Sequence, residues 1–126
     1  MPGARDEMTK LVALLKRRRD LSFNEFMDYY ENQHVPLALD LVEGAVRYVR
    51  RYLRPISNPG SRTPLEPAFD AITELWFPNQ EAFERTMARL TDPDVAPRIA
   101  ADEGQFMERD EILTFMVDER ESAIGP

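Results

Sequence analysis

The side chains of this sequence that can move protons near neutral pH are one imidazole and a few carboxylates and phenols. The single histidine is His34, and there is no cysteine. An unperturbed imidazole titrates at about 6.5, so His34 can take or give a proton at neutral pH. Tyr30 precedes it by one helical turn, and a pocket at that place would present a phenol and an imidazole to one ligand. The plainer reading is a buried histidine that only hydrogen-bonds the end of its helix. Asp102 falls between Ile99 and Phe106 on an otherwise apolar helical stripe, where a carboxylate is costly unless paired. If both helices lie on one sheet face, His34 is a candidate partner. The carboxylate would then fix the imidazole tautomer and raise its basicity. Pairing with an arginine or the backbone is the alternative. Asp70 and Glu74 share one strand face with Trp76. They can act as acid and base if that face lines an interior, or pair with Arg47 or Arg51 on a neighbouring strand. The structural role is expected for Glu74, and Asp70 is left open. Tyr29, Trp76 and Phe106 are candidates to line a substrate pocket, although such residues more often belong to a core.

Several other chemistries are not encoded. One histidine without cysteine does not make a protein-built zinc site, and no carboxylate spacing suits a harder cation. No Ser/His/Asp order and no Gly-rich phosphate loop is present, so no metal and no cofactor is expected. The net charge of −7 repels phosphate backbones and argues against a nucleic-acid partner. The basic run Lys16-Arg17-Arg18-Arg19 has the charge to grip an anion, but a solvated turn after a strand is the expected role. No apolar run has bilayer-spanning length, and MPGARDEMTK lacks the apolar stretch of a signal peptide. A cytoplasmic protein with no membrane partner is expected.

These residues need elements to position them. The 126 residues suffice for one core and not two. Met8 to Leu15 is almost continuously apolar and reads as a strand buried on both faces. Ser22 with Glu25 forms a capping-box signature. The helix that follows carries Phe23, Phe26, Met27, Tyr30 and His34 on one face. Pro36 makes Val35 a boundary or kink, with a short second piece over 37–41. Val46 to Arg54 alternates as a strand facing solvent or, in part, a subunit contact, and the proline-rich stretch 55–68 reads as a long loop. Phe69 to Phe77 alternates again, with Ala71, Thr73 and Leu75 on the face opposite Asp70 and Glu74. Asn79 can cap a helix striped by Phe83, Met87 and Leu90. A further helix runs to about Met107, and Ile112 to Val117 is the last strand. The domain spans 8–118, with 1–7 and 119–126 as flexible termini. The order βαββαβ predicts an α+β, ferredoxin-like unit with an antiparallel sheet. Its helices cover one sheet face only, so the apolar residues of the other predict a second copy of the chain as cover.

Three stretches carry a family resemblance. Phe26-Met27-Asp28-Tyr29-Tyr30-Glu31-Asn32-Gln33-His34-Val35-Pro36-Leu37 resembles the first-helix signature of EthD-domain proteins, an aromatic pair followed by His-x-Pro-Leu. Phe69-Asp70-Ala71-Ile72-Thr73-Glu74-Leu75-Trp76-Phe77 is similar to the family's Asp-x-x-x-Glu-Leu-Trp-Phe strand, and Ala101-Asp102-Glu103-Gly104-Gln105-Phe106 to its Asp-Glu-x-x-Phe helix. With Lys10-Leu11-Val12, the likeness spans about residues 8–118. The resemblance implies a dimeric α+β barrel, in which two chains close their sheets face to face. It also implies a superfamily that includes cofactor-free decarboxylases, isomerases, polyketide cyclases and small monooxygenases. The stretch 55–68 departs from the family, where many relatives have a much shorter connection.

The expectation is therefore a homodimeric, cofactor-independent enzyme doing acid/base chemistry (decarboxylation, isomerisation, cyclisation or dehydration). Its substrate would be a small apolar molecule, aromatic or polyketide-like. His34 is the candidate acid/base, Asp102 its orienter, Tyr30 a hydrogen-bond donor, and Tyr29, Asp70, Trp76 and Phe106 the candidate substrate contacts. The alternative is a non-catalytic protein that holds a hydrophobic metabolite for an oxygenase pathway.

Overall fold

Local signals in the chain set where each element begins. In the computed structural model, which describes residues 8–56 and 66–125, strand β1 covers Thr9–Leu15. Helix α1 covers Phe23–Tyr29 and opens on a complete capping box. The Ser22 hydroxyl accepts from the Glu25 amide at 3.1 Å, and the Glu25 carboxylate accepts from the Ser22 amide at 2.8 Å. The helix does not break before Pro36. It widens into a π-helical turn over Tyr30–His34 and continues as α2, Val35–Leu41. The cause is Pro36, which has no N–H to give and whose ring crowds the carbonyl four residues back. The Val35 amide bonds to the Tyr30 carbonyl five residues earlier, and the wider turn absorbs the misfit.

Strand β2 (Arg47–Tyr52) and strand β3 (Ala71–Phe77) follow, two or three residues shorter than their alternation predicts. The predicted loop 55–68 joins them, and its residues 57–65 lie outside the described residues. Asn79 caps α3, Gln80–Leu90, by accepting from the Ala82 amide at 2.8 Å. Helix α4 is Ala96–Glu103, so Phe106 sits in the turn beyond it. Strand β4, Leu113–Met116, closes the order. The strands align as β2-β3-β1-β4 with every pairing antiparallel, the ferredoxin-like arrangement.

The register divides the sheet by chemistry. Leu11, Ala13 and Leu15 of β1 pair with Leu75, Thr73 and Ala71 of β3, and these residues face the helices. Val12, Leu14, Ile72 and Glu74 face the other way. Fully buried Phe26 and Phe106 fill the space beneath α1, with ring centroids 5.8 Å apart. Gly44, between α2 and β2, passes close to α3. A Cβ there would stand 2.9 Å from the Thr86 hydroxyl, so no larger residue fits without a shift.

The basic run after β1 is a solvated turn only at its far end, where Arg19 is exposed. Lys16 is only 4% exposed, and it reaches the Pro67 carbonyl at 3.1 Å and the carboxylates of Glu66 at 3.2 Å and Asp70 at 3.5 Å. Asp70, equally buried, also accepts from the Arg17 amide at 2.8 Å. The backbone of the run pairs with the chain leaving α4: Arg18 donates to the Phe106 carbonyl and Glu108 to that of Lys16. The cluster therefore fastens the end of α4 to the end of β1. Asp70→Ala should cost roughly 3 kcal/mol of folding stability, because it strands buried cationic and amide groups. Chemical denaturation measures this; a loss below about 1 kcal/mol would mean the cluster behaves as an exposed ion pair.

Candidate active site

Helices α1, α2 and α4 bring His34 and Asp102 together. His34 ends the π-helical turn and Asp102 lies on the last turn of α4, 68 residues away in sequence. His34 Nδ1 stands 2.5 Å from Asp102 Oδ2. The other oxygen, Oδ1, accepts from the Tyr29 hydroxyl at 2.9 Å. Both side chains are mostly shielded, at 14% and 12% exposure. A carboxylate beside Nδ1 favours the tautomer that carries its proton there, the one that leaves Nε2 with the lone pair. Among the described residues Nε2 has no hydrogen-bond partner, and the imidazole lines a cavity.

That cavity has a volume of about 280 Å³ and lies between the inner sheet face and the helices. Its walls are mostly aliphatic, including Leu11, Leu41, Leu75, Met87 and Ile99. Polar groups enter it at few places: His34, a row of hydroxyls, Thr114, and Glu103, whose carboxylate is held by Arg109 at 3.2 Å. The hydroxyl row crosses three elements. Tyr48 of β2 donates to the Tyr30 hydroxyl at 3.4 Å, and Tyr30 shares a short hydrogen bond with Thr73 of β3. Burial raises the Tyr30 and Tyr48 phenols above their ordinary value of 10.0, so both stay neutral donors. Burial, then the bond to Asp102, raises Tyr29 likewise.

An outer bracket holds the π-helical turn against the sheet. Glu31 accepts from Arg50 at 3.0 and 2.6 Å and from the Tyr52 hydroxyl. The Arg50 contacts hold the Glu31 carboxyl below its ordinary value, and the guanidinium covers the Tyr48 ring at 4.8 Å. A bidentate arginine on an acidic residue of the turn fixes both its height and its rotation over β2.

The predicted substrate contacts fall elsewhere. Tyr29 stacks on Phe106 at 5.2 Å and serves Asp102, away from the cavity lining. Phe106 is fully buried behind the imidazole, 5.0 Å from it, as part of the core. Asp70 is the ion-cluster residue at the start of β3. Trp76 lies on the outer sheet face, with Lys10 at 4.0 Å and Arg47 at 4.5 Å over its ring. Its indole donates to Glu74 at 2.9 Å, and Glu74 also pairs with Arg51. The register is the reason: Asp70, Glu74 and Trp76 share the parity that points away from the helices. Tyr30 does line the cavity, but its hydroxyl is engaged by Tyr48 and Thr73. Thr73 and Tyr48 were missed as site residues. The available signal was a lone hydroxyl on a strand face otherwise built from Ala71, Leu75 and Phe77.

Comparison with known proteins places this architecture. The EthD domain family matches residues 18–110. An EthD family protein from Bacillus halodurans C-125 superposes with a TM-score of 0.62 at 20% identity, over 90% of this chain and 99% of that one. SnoaB from Streptomyces nogalater, described as a cofactor-independent oxygenase, superposes with a TM-score of 0.55 at 13% identity, over 92% and 96%. A dimeric ferredoxin-like protein from Thermobifida fusca gives 0.50 at 13% identity, over 87% and 89%. At these identities the structures establish the shared fold. The comparison with curated proteins found no match. No helix among the described residues is long and apolar enough to cross a membrane.

The buried phenols carry a pH signature. Their folded-state values lie above 10.0, so the stability they contribute is complete below pH 10.0 and is lost as pH rises beyond it. The denaturation midpoint should fall as pH climbs above 10.0, and Tyr48→Phe should flatten that fall. An unchanged alkaline slope in the variant would mean that Tyr48 ionises freely in the folded protein.

Proposed function

This chain belongs to the EthD-domain family, and from that premise we propose that it is a cofactor-independent acid/base enzyme acting on a small apolar molecule. The observation that carries the reading is a partnerless Nε2 on the wall of an aliphatic cavity, backed by a carboxylate 2.5 Å from Nδ1. His34 would take a proton from a bound C–H or O–H group and return it to a different atom. Asp102 is the positioning residue: it holds the tautomer and stabilises the imidazolium as it forms. Tyr29 in turn holds Asp102. Isomerisation is such a transfer by itself; decarboxylation adds the C–C bond broken as CO2 leaves, cyclisation the ring bond formed, and dehydration the C–O bond broken as water leaves, each with a proton that His34 can take or return. The description of SnoaB as cofactor-independent supports chemistry in which the protein itself supplies the proton acceptor. A cavity of about 280 Å³ suits a ligand of one to three rings.

The second copy of the chain belongs to the same reading. Leu113 and Phe115 of β4 remain 47% and 46% exposed, on the sheet face that carries Val12, Leu14 and Ile72. A partner sheet would cover them, and the Thermobifida fusca relative is described as dimeric. Native mass spectrometry should give twice the 14.6 kDa chain mass, and Phe115→Glu should shift the population to monomer. A monomeric wild type would remove the dimer from this proposal.

The chemical reading is tested on a ligand retained from a metabolite extract. In heavy water, that ligand should gain deuterium at an activated position or convert to product. His34→Gln should slow this by a factor on the order of 10² to 10⁴. Retention of the ligand with no exchange and no product would instead identify a carrier.

A further inference from the structure

We propose that Thr73 is the ligand anchor of this cavity, and that it selects molecules carrying a ketone-type carbonyl beside an acidic C–H. The inference rests on the reading of His34 as the base and adds the other half of the site. Two observations and one chemical argument lead to it: the place of Thr73 at the end of the hydroxyl row, the contact of Tyr30 with both Thr73 and His34, and the greater donor strength of a phenol over an alcohol.

The row has a direction because each hydroxyl owns one proton. Tyr48 gives its proton to the Tyr30 oxygen. Either oxygen of the Tyr30–Thr73 bond can donate; a phenol is a better donor and a poorer acceptor than an aliphatic alcohol, which favours Tyr30 as the giver of the proton and Thr73 as its acceptor. The Thr73 proton is then the one left over. Among the described residues Thr73 has no hydrogen-bond partner besides Tyr30, and it lines the cavity. Donors in a chain polarise one another, so the terminal O–H is strengthened as a donor. An apolar ligand without an acceptor would leave this proton unmatched, which disfavours it.

Tyr30 connects the two functional groups. His34 and the Tyr30 ring pack edge to face, with centroids 5.1 Å apart and planes at 84°. Thr73 meets the hydroxyl of that same ring. Base and donor therefore both touch one phenol, and both line the same cavity. A carbonyl oxygen on Thr73 leaves the carbon next to the carbonyl toward Nε2. Proton transfer from that carbon breaks its C–H bond. The bonding pair becomes the C=C bond of an enolate, the carbonyl oxygen takes the negative charge, and the proton rests on Nε2. The Thr73 O–H then faces the oxygen where charge develops. The other uncharged polar wall residue, Thr114, sits two strands from Thr73, with Ala13 between them, and no described hydroxyl feeds it. Glu103 can only accept when ionised and cannot hold a carbonyl.

A matched pair of probes tests this: α-tetralone, a two-ring ketone with an acidic C–H, and tetralin, its hydrocarbon counterpart. Their affinities are measured by ligand-observed NMR on the purified full chain, with deuterium uptake by tetralone followed in heavy water. Wild type should prefer tetralone roughly three- to tenfold. Thr73→Val should erase the preference, Thr73→Ser should restore it, and Thr114→Val should leave it in place. Tyr48→Phe should weaken it without abolishing binding. The anchor is overturned if wild type binds both probes equally or binds neither. It is also overturned if the preference survives Thr73→Val or follows Thr114. Preference for tetralone without deuterium uptake would overturn the proton-transfer reading and leave the anchor standing. Uptake without preference would do the reverse.

Discussion

A carboxylate beneath a helix must have both oxygens satisfied, and the fold is organised around how Asp102 meets that demand. One oxygen takes the Tyr29 hydroxyl and the other takes His34 Nδ1. Neither donor comes from Asp102's own half of the chain. The second βαβ half thus supplies the acid, the first supplies both donors, and the acid is comfortable only when the halves are docked. Phe106 extends the same junction. It lies against Tyr29, Tyr30, His34 and Phe26, with centroids 5.0 to 5.8 Å away. Its place is fixed by the backbone pairing of 106–108 with the run after β1. The ion cluster of Lys16, Arg17 and Asp70 thus acts on the site at one remove, by fastening the turn that carries Phe106.

The π-helical turn is the second device. A regular α-helix through Pro36 would force the Asn32 carbonyl against the proline ring. The wide turn avoids the clash, and it changes the angular step between Tyr30 and His34. The two rings meet edge to face, with Tyr30 sending its hydroxyl to the sheet and His34 turning to α4. Such a turn is intrinsically weaker than an α-helix and needs outside support. Glu31 provides it through Arg50 and Tyr52 on β2. One turn of five residues therefore carries the base, the relay phenol and the strut that holds them.

Much of this was legible in the sequence, and the exceptions have a common cause. Periodicity and caps located every strand and helix to within a few residues, because alternation and capping are local. The placing of Asp102 on an apolar stripe flagged a carboxylate in need of a partner. What failed depended on contacts remote in sequence. Lys16 looked solvated because Glu66 and Asp70 lie about fifty residues on. Asp70 and Trp76 looked like site residues because a carboxylate and an aromatic ring suit a pocket wall, yet the sheet register sends them outward. Thr73 and Tyr48 looked like ordinary strand residues, since a hydroxyl gains meaning only from what stands at hydrogen-bond distance. The π-helical turn was read as a break or kink, because Pro36 announces a misfit without saying how it will be relieved.

The two faces of β3 show why the outward residues still matter to the inner ones. Side chains alternate along a strand, so a slip of one residue exchanges the faces. At β3 that slip would bring Glu74 into the cavity where Thr73 now stands, replacing a donor with a carboxylate amid aliphatic side chains. The outer contacts oppose it. Glu74 is held by Arg51 and by the Trp76 indole, and Trp76 lies under Lys10 and Arg47. Each of these involves a strand on one side of β3 or the strand itself, so together they resist sliding in either direction. Charge that would be costly inside is used outside to set the register. The hydroxyl that register turns inward can then meet Tyr30, and the inner face keeps only neutral donors beside the imidazole.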